Sequence, residues 1–147
     1  MPHESRKPIL ISSLKIIENL ASKAGDLHLK EIGLTDSQAN LILFLAHRAD
    51  QKIRQRDIEV ALNLTNPTVS GLIKRLEQKQ FVVRSADPED SRARFILLTE
   101  KAELLVDQIF EHIHQTESKL LEGFTEEELG QVSSLLRRIA ENAIKNF

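Results

Sequence analysis

With 147 residues, 41 % apolar and 29 % charged, the chain suits one compact domain or one domain with long helical extensions. It has no cysteine, which excludes a disulfide, a thiolate-ligated metal, a cysteine nucleophile and a cysteine redox switch, and makes a cytoplasmic home the natural expectation. Six Phe with no Trp or Tyr leave no aromatic platform for single-stranded bases; the net charge is −2, yet nine basic residues oppose six acidic ones between Lys52 and Arg94, giving that segment +3 and the remainder −5.

The opening stretch "MPHESRKPILISSLKII" has neither a long apolar run nor a small-residue cleavage site, so neither a signal peptide nor a membrane span is expected. A helix is expected from Pro8 to about Leu29. In it Leu10, Leu14, Ile17, Ala21 and Ala24 recur at spacings of four and three, the seam of a helix packed lengthwise on a partner. A second helix begins at Thr35, whose pairing with Gln38 three residues on forms a capping box; Leu41, Phe44 and Leu45 supply its core stripe.

A short helix follows, from about Gln55 to Leu62, with Ile58, Ala61 and Leu62 turned inward. Asn63 stands where a tight turn between helices needs a residue that tolerates the left-handed conformation, and Leu64 packs back. Thr65 or Asn66 caps the next helix, and Pro67 occupies its first turn, where the missing N–H costs nothing. This is a helix-turn-helix pattern. In its second helix Val69, Leu72, Ile73 and Leu76 form one buried face. Pro67, Ser70, Gly71, Lys74 and Gln78, flanked by Thr68 and Arg75, form the other. Gly71 inside a helix costs about 1 kcal/mol relative to Ala. The close approach of DNA, or of a neighbouring helix, would explain it.

"FVVRSAD" and "RFILLT" read as two strands joined by a turn, with Phe81, Val83, Phe95 and Leu97 facing inward. A hairpin directly after a helix-turn-helix is a wing. Its tip, "DPEDSRAR", carries Arg92 and Arg94 into solvent. A slim, permanently charged guanidinium there suits the narrow, electronegative minor groove of a duplex. The blander use of these arginines is to neutralise Asp87, Glu89 and Asp90. The Asp side chains shape the turn, and Asp90 is placed to hold an arginine side chain.

Thr99 caps the following helix, with Glu100 and Glu103 in its first turn. That helix runs to about Glu122, with Leu105, Ile109, Ile113 and Leu120 on one stripe. A second capping box, Thr125 with Glu128, opens the last helix, where Leu129, Val132, Leu136, Ile139 and Ala143 again form a seam.

The stretches "LTNPTVSGLIKRLEQKQFVVR" and "DPEDSRARFILLTEKAELL" resemble the recognition helix and wing signature of the MarR family of winged helix-turn-helix transcription regulators. Within the signature the matching residues are Asp90, Arg92, Leu98 and Thr99. The order of elements agrees along essentially the whole chain. Gln80 stands in place of the glycine usual after the recognition helix, Ala102 in place of a frequent glycine, and Ser91 where a second arginine is common. The resemblance implies a mainly α fold with a small β wing. Residues 35–99 would form the winged helix-turn-helix, and residues 1–34 and 100–147 the dimerisation helices. It implies a homodimeric, sequence-specific double-stranded DNA-binding repressor on a pseudo-palindromic operator, not an enzyme and without a cofactor. A small aromatic or anionic effector would release it. Thr65, Asn66, Thr68, Ser70, Lys74 and Arg75 would contact the groove or phosphates, and Pro67 would abut the DNA. Arg92 would enter the minor groove, with Arg84 and Arg94 on the backbone.

A metal-responsive regulator is the alternative. Of His3, His28, His47, His112 and His114, the last two are two residues apart, about 200° around a helix, and cannot share one metal from one face. His112 with His47 or His28 is the combination that remains. No Gly-rich phosphate loop or His-Glu-x-x-His pair supports an enzyme.

Overall fold

The computed structural model describes residues 9–147, apart from the side chains of Ile9, Asp26 and Leu27; Pro8 and His3 lie outside the described residues. In chain order the elements are α1 (Ile9–Glu31), α2 (Asp36–Ala46), α3 (Gln55–Leu62), α4 (Asn66–Gln78), β1 (Val82–Ala86), β2 (Arg94–Leu98), α5 (Glu100–Leu120) and α6 (Glu126–Asn146). The fold is mainly α with a two-stranded β wing, as expected. It divides into two compact units, residues 1–113 and 114–147.

In the first unit, local chemistry sets most element ends. The backbone N–H of Leu34 closes α1 onto the Leu29 carbonyl, with Gly33 at φ +74°. Thr35 caps α2 through Oγ1 while Gln38 returns the bond to the Thr35 backbone, the reciprocal box expected. Asn63 takes φ 50° and ψ 48° between α3 and α4, and Leu64 packs against the core. Leu41, Ile42, Ile58, Val69, Ile73, Leu76, Val82 and Ile109 are fully buried. All four residues expected on the inner face of α4 are among the buried ones. In α3, Ile58 is buried and Leu62 half-buried. Ala61, expected inside, is exposed, and the polar Glu59 takes the inward place.

The wing pairs antiparallel, Val82 with Leu98 through Ala86 with Arg94. Phe81 and Phe95 point inward as expected, but Val83 and Leu97 do not; Val82 and Ile96 are buried in their stead. The cause lies before α3. Ile96 donates its N–H to the Ile53 carbonyl, and Arg54 bridges Phe95. This short third pairing, with buried Ile53, draws Ile96 inward beside Phe95 and overrides strict alternation.

Thr99 accepts from the Ala102 N–H at the start of α5, while its hydroxyl donates to the Gln80 carbonyl. Gln80 has φ 63°, the left-handed conformation for which glycine is usual. Gln80→Gly is therefore expected to raise stability by about 1 kcal/mol. Chemical denaturation would read this as a higher midpoint at unchanged slope.

In α1, Leu10, Ile11, Leu14, Ile16, Ile17 and Leu20 are all exposed. In the second unit the box of Thr125 and Glu128 forms as expected, no α6 residue is buried, and Leu135, Leu136 and Ile144 are exposed. Leu10, Leu14, Ile17 and Leu136 belong to the expected seams, while Ile11, Ile16, Leu20, Leu135 and Ile144 widen the exposed apolar rows beyond them.

Candidate nucleic-acid interface

The outer face of α4 is built as the sequence predicts. Thr65 precedes the helix in extended conformation, Asn66 begins it and Pro67 sits in its first turn. The Thr65 hydroxyl does not cap a backbone N–H; it lies 2.9 Å from the Thr68 hydroxyl. Pro67, Thr68, Lys74 and Arg75 are exposed, and Ser70 and Gly71 half-exposed. Neither Lys74 nor Arg75 has a side-chain hydrogen bond or ion pair among the described residues, so both cations are available to a partner. A Cβ added at Gly71 meets nothing within 4 Å. Among the described residues, no neighbouring helix explains that glycine.

Asn66 is placed less simply. Its Nδ2 donates to Oε1 of Glu59 at 2.7 Å, across the turn between α3 and α4. Gln55 Nε2 donates to the same oxygen at 3.3 Å, and Arg56 Nη1 to the other at 3.1 Å. Glu59 is 6 % exposed. Burial pushes its carboxyl up, but the bonds from Asn66, Arg56 and Gln55 outweigh this and leave it below the usual carboxylate range.

At the wing, the three arginines differ. The Arg92 side chain is exposed and has no partner among the described residues; its backbone N–H donates to Asp90 Oδ1 at 3.0 Å. Arg94 turns its Nη1 back onto the carbonyls of Ser91 and Ala93, at 2.7 and 2.9 Å. Arg84 pairs through Nε with Glu77 of α4 at 3.0 Å. The expectation that Asp90 holds an arginine side chain is corrected: Asp90 secures the turn backbone, and Asp87 holds the arginine.

That arginine is Arg54, from before α3. Its Nη2 lies 2.7 Å from Asp87 Oδ2, and the other Asp87 oxygen accepts from the Glu89 N–H at 2.9 Å. Asp87 is buried at the wing base and Arg54 half-exposed. The Glu89 N–H, set against the burial and joined by Arg54, holds the Asp87 carboxyl below the usual range. A group depressed in this way contributes stability at neutral pH that is lost as pH falls below about 4. Asp87→Asn is expected to melt lower than wild type at pH 7 and to narrow that gap on acidification. Thermal melts at pH 7 and pH 3.5 check it; equal gaps at both would contradict the ionic pin. Sequence reasoning missed Arg54 and Glu59 as organisers of the site, and for Asp87 it expected the turn-shaping role but not the pairing with Arg54. The one local signal was the spacing of Arg54 and Asp57, whose carboxylate accepts the Arg54 N–H at 2.7 Å.

His28 and His112, one of the two expected combinations, come together, but without a third ligand among the described residues. His112 stacks on His28 with ring centroids 5.0 Å apart, and His47 tilts against Phe110 at 6.0 Å. His47 Nδ1 lies 2.8 Å from the Leu43 carbonyl. Among the described residues no three His, Cys, Asp or Glu side chains form a group able to hold a metal ion. The metal-responsive alternative thus lacks a site there. Nor is any described helix long and apolar enough to cross a membrane.

A helix-turn-helix with an open polar and basic outer face, followed by an arginine-tipped hairpin, defines a winged-helix DNA-binding protein. The model of the MarR family matches residues 32–93. The chain is 28 % identical over 116 residues to the HTH-type transcriptional regulator MhqR of Bacillus subtilis (strain 168), covering 79 % of each. The crystal structure of the transcription regulator MarR from Oenococcus oeni PSU-1 superposes with a TM-score of 0.74 at 29 % identity, over 88 % of this chain and 97 % of that one. An S. aureus MepR–DNA complex superposes with a TM-score of 0.81 at 27 % identity, over 88 % and 93 %. Residues 32–93 thus match the MarR family of winged helix-turn-helix transcription regulators, and the chain is similar in fold to the solved MarR and MepR.

Proposed function

We propose that this protein is a cytoplasmic repressor that binds a pseudo-palindromic operator as a homodimer and is released by a small aromatic or anionic effector. The observation that carries the reading is the set of cations left without intrachain partners among the described residues, Lys74 and Arg75 on α4 and Arg92 at the wing tip. In this reading α4 enters a major groove. Thr65, Asn66, Thr68 and Ser70 read or approach base edges, Pro67 abuts the DNA, and Lys74 and Arg75 bind phosphate. Arg92 enters the adjacent minor groove. Arg84 and Arg94, already engaged within the chain, contact the backbone only by leaving Glu77 or the turn carbonyls. The similar MepR has been crystallised with DNA, which supports this use of the fold.

Residues 1–34 and 100–147 supply the dimer helices, and the exposed apolar rows of α1 and α6 are the surfaces a second copy would cover. Two-fold symmetry then sets the half-sites about 10 bp apart. A pocket of about 410 Å³ between α2, β2 and α5 suits the effector. Leu45, Ile53, Leu98 and Val106 wall it, and Arg48 supplies a cation.

Fluorescence anisotropy with the duplex upstream of the protein's own gene, against a scrambled duplex and across a salt series, tests the reading. Selective binding that weakens steeply with salt is expected. Equal, weak binding to both duplexes at low salt would refute it.

A further inference from the structure

The buried Glu59 belongs to α3, the helix that does not enter the groove, yet it fixes a side chain on the helix that does. We propose that Glu59 is a positioning residue for base reading: it orients the Asn66 amide so that this residue selects adenine in each half-site. The proposal rests on the DNA-binding reading above and deepens it.

A carboxylate only accepts hydrogen bonds, so the amide nitrogen of Asn66, and not its oxygen, must face Glu59. The 2.7 Å contact does so, and the 6 % exposure of Glu59 keeps water from competing for it. Gln55 and Arg56 occupy the carboxylate from α3's own first turns. The Asn66 nitrogen therefore meets an acceptor already anchored on both oxygens. One amide proton is committed to Glu59. The second proton and Oδ1 have no partner among the described residues, and Asn66 is exposed at the start of α4.

The remaining pair, one acceptor and one donor in a plane, matches the major-groove edge of adenine, where N6–H donates and N7 accepts. Guanine offers two acceptors there and would leave Oδ1 facing O6. An unanchored Asn66 could turn its amide over and lose this distinction. Removing the flip before binding also lowers the ordering cost of the contact. The carboxylate is thus a means of specificity that touches no base.

The test uses the full-length protein and a duplex selected by it from a random pool, with every base pair then substituted in turn and affinity read by anisotropy. Wild type is expected to prefer adenine about tenfold or more at one position per half-site. Asn66→Ala should flatten that position. Glu59→Gln, whose amide can bond either end of Asn66, should flatten the same position while leaving the other positions and the salt slope unchanged. Glu59→Gln that keeps the preference Asn66→Ala removes would overturn the proposal. An unchanged scan for Asn66→Ala overturns it too, while selective wild-type binding leaves the DNA-binding reading standing. Wild type without selectivity at any position refutes both. A wild-type measurement, independent of how well the fold tolerates Glu59→Gln, stands beside it: 7-deaza-adenine at the preferred position removes N7. Wild type should lose affinity severalfold and Asn66→Ala none. Wild-type indifference to the missing N7 overturns the proposal.

Discussion

Arg92→Ala is expected to weaken operator binding by about ten- to hundredfold and to leave the melting temperature unchanged. The two halves of this expectation come from one observation. The Arg92 guanidinium has no partner among the described residues, so the fold does not depend on it. Its backbone N–H, bonded to Asp90, is kept by alanine, and the turn keeps its shape. A guanidinium held at a turn tip with its charge unspent is available to a narrow groove of high negative potential. A dimer presents two such arms, so the loss is counted twice. The slope of log affinity against log salt should fall by about two, close to one counterion for each arm. Arg94→Ala provides the contrast. Its guanidinium already serves two carbonyls of the turn, so its removal should loosen the tip and cost less affinity. A salt slope for Arg92→Ala equal to that of wild type would show that this arginine does not meet DNA charge.

The difference between these two arginines, only two residues apart, was beyond the reach of the sequence. Both sit at the tip, and both read as DNA contacts or as partners of nearby acids. What separates them is turn geometry: Arg94 begins β2, and its side chain folds back over the turn, whereas Arg92 does not. Features that close within one turn of chain were legible. The boxes of Thr35 with Gln38 and Thr125 with Glu128, the left-handed Asn63 and the buried face of α4 all follow from neighbours three or four residues apart. Interactions that need tertiary proximity were not. Arg54 and Asp87 are 33 residues apart and meet only once the wing folds back beside the start of α3. The inward turn of Val82 and Ile96 depends on the Ile53 carbonyl, in a segment without strand patterning of its own. Glu59 is, in the sequence, one acidic residue of a short helix whose inward places fall to Ile58, Ala61 and Leu62. Its burial follows from the way the turn at Asn63 brings Asn66 over it.

The same division explains the placement of specificity. Lys74, Arg75 and Arg92 are recognisable from composition because phosphate affinity needs only charge on an exposed face. Base reading needs a donor and an acceptor in fixed orientation, and orientation is set from behind, by residues such as Glu59 that a scan for basic patches passes over. Asp87 stands in the same relation to the wing: an acid in a segment expected to be basic, used to hold the hairpin base and leave its tip cationic.

Gly71→Leu is expected to move stability and DNA binding in opposite directions. Leucine is a better helix former than glycine by nearly 1 kcal/mol, and a Cβ at this position meets no atom of the described residues within 4 Å, so the variant should unfold at higher denaturant. Gly71 lies on the outer face of α4 between Ser70 and the basic pair Lys74 and Arg75. Side-chain bulk there holds the helix axis away from the groove floor by more than a methyl width, which lengthens the base contacts of Asn66 and Ser70 together. Operator affinity should fall toward the non-specific level, a loss of about a thousandfold or more, while weak binding to unrelated duplex persists through Lys74, Arg75 and Arg92. Gly71→Ala grades the effect: nearly the same gain in stability, with a smaller loss of affinity. Paired denaturation and anisotropy measurements on the two variants decide the matter. Full operator affinity in Gly71→Leu would mean that the helix does not lie deep in the groove, whereas reduced stability would mean that the glycine answers a packing demand made by a second copy of the chain.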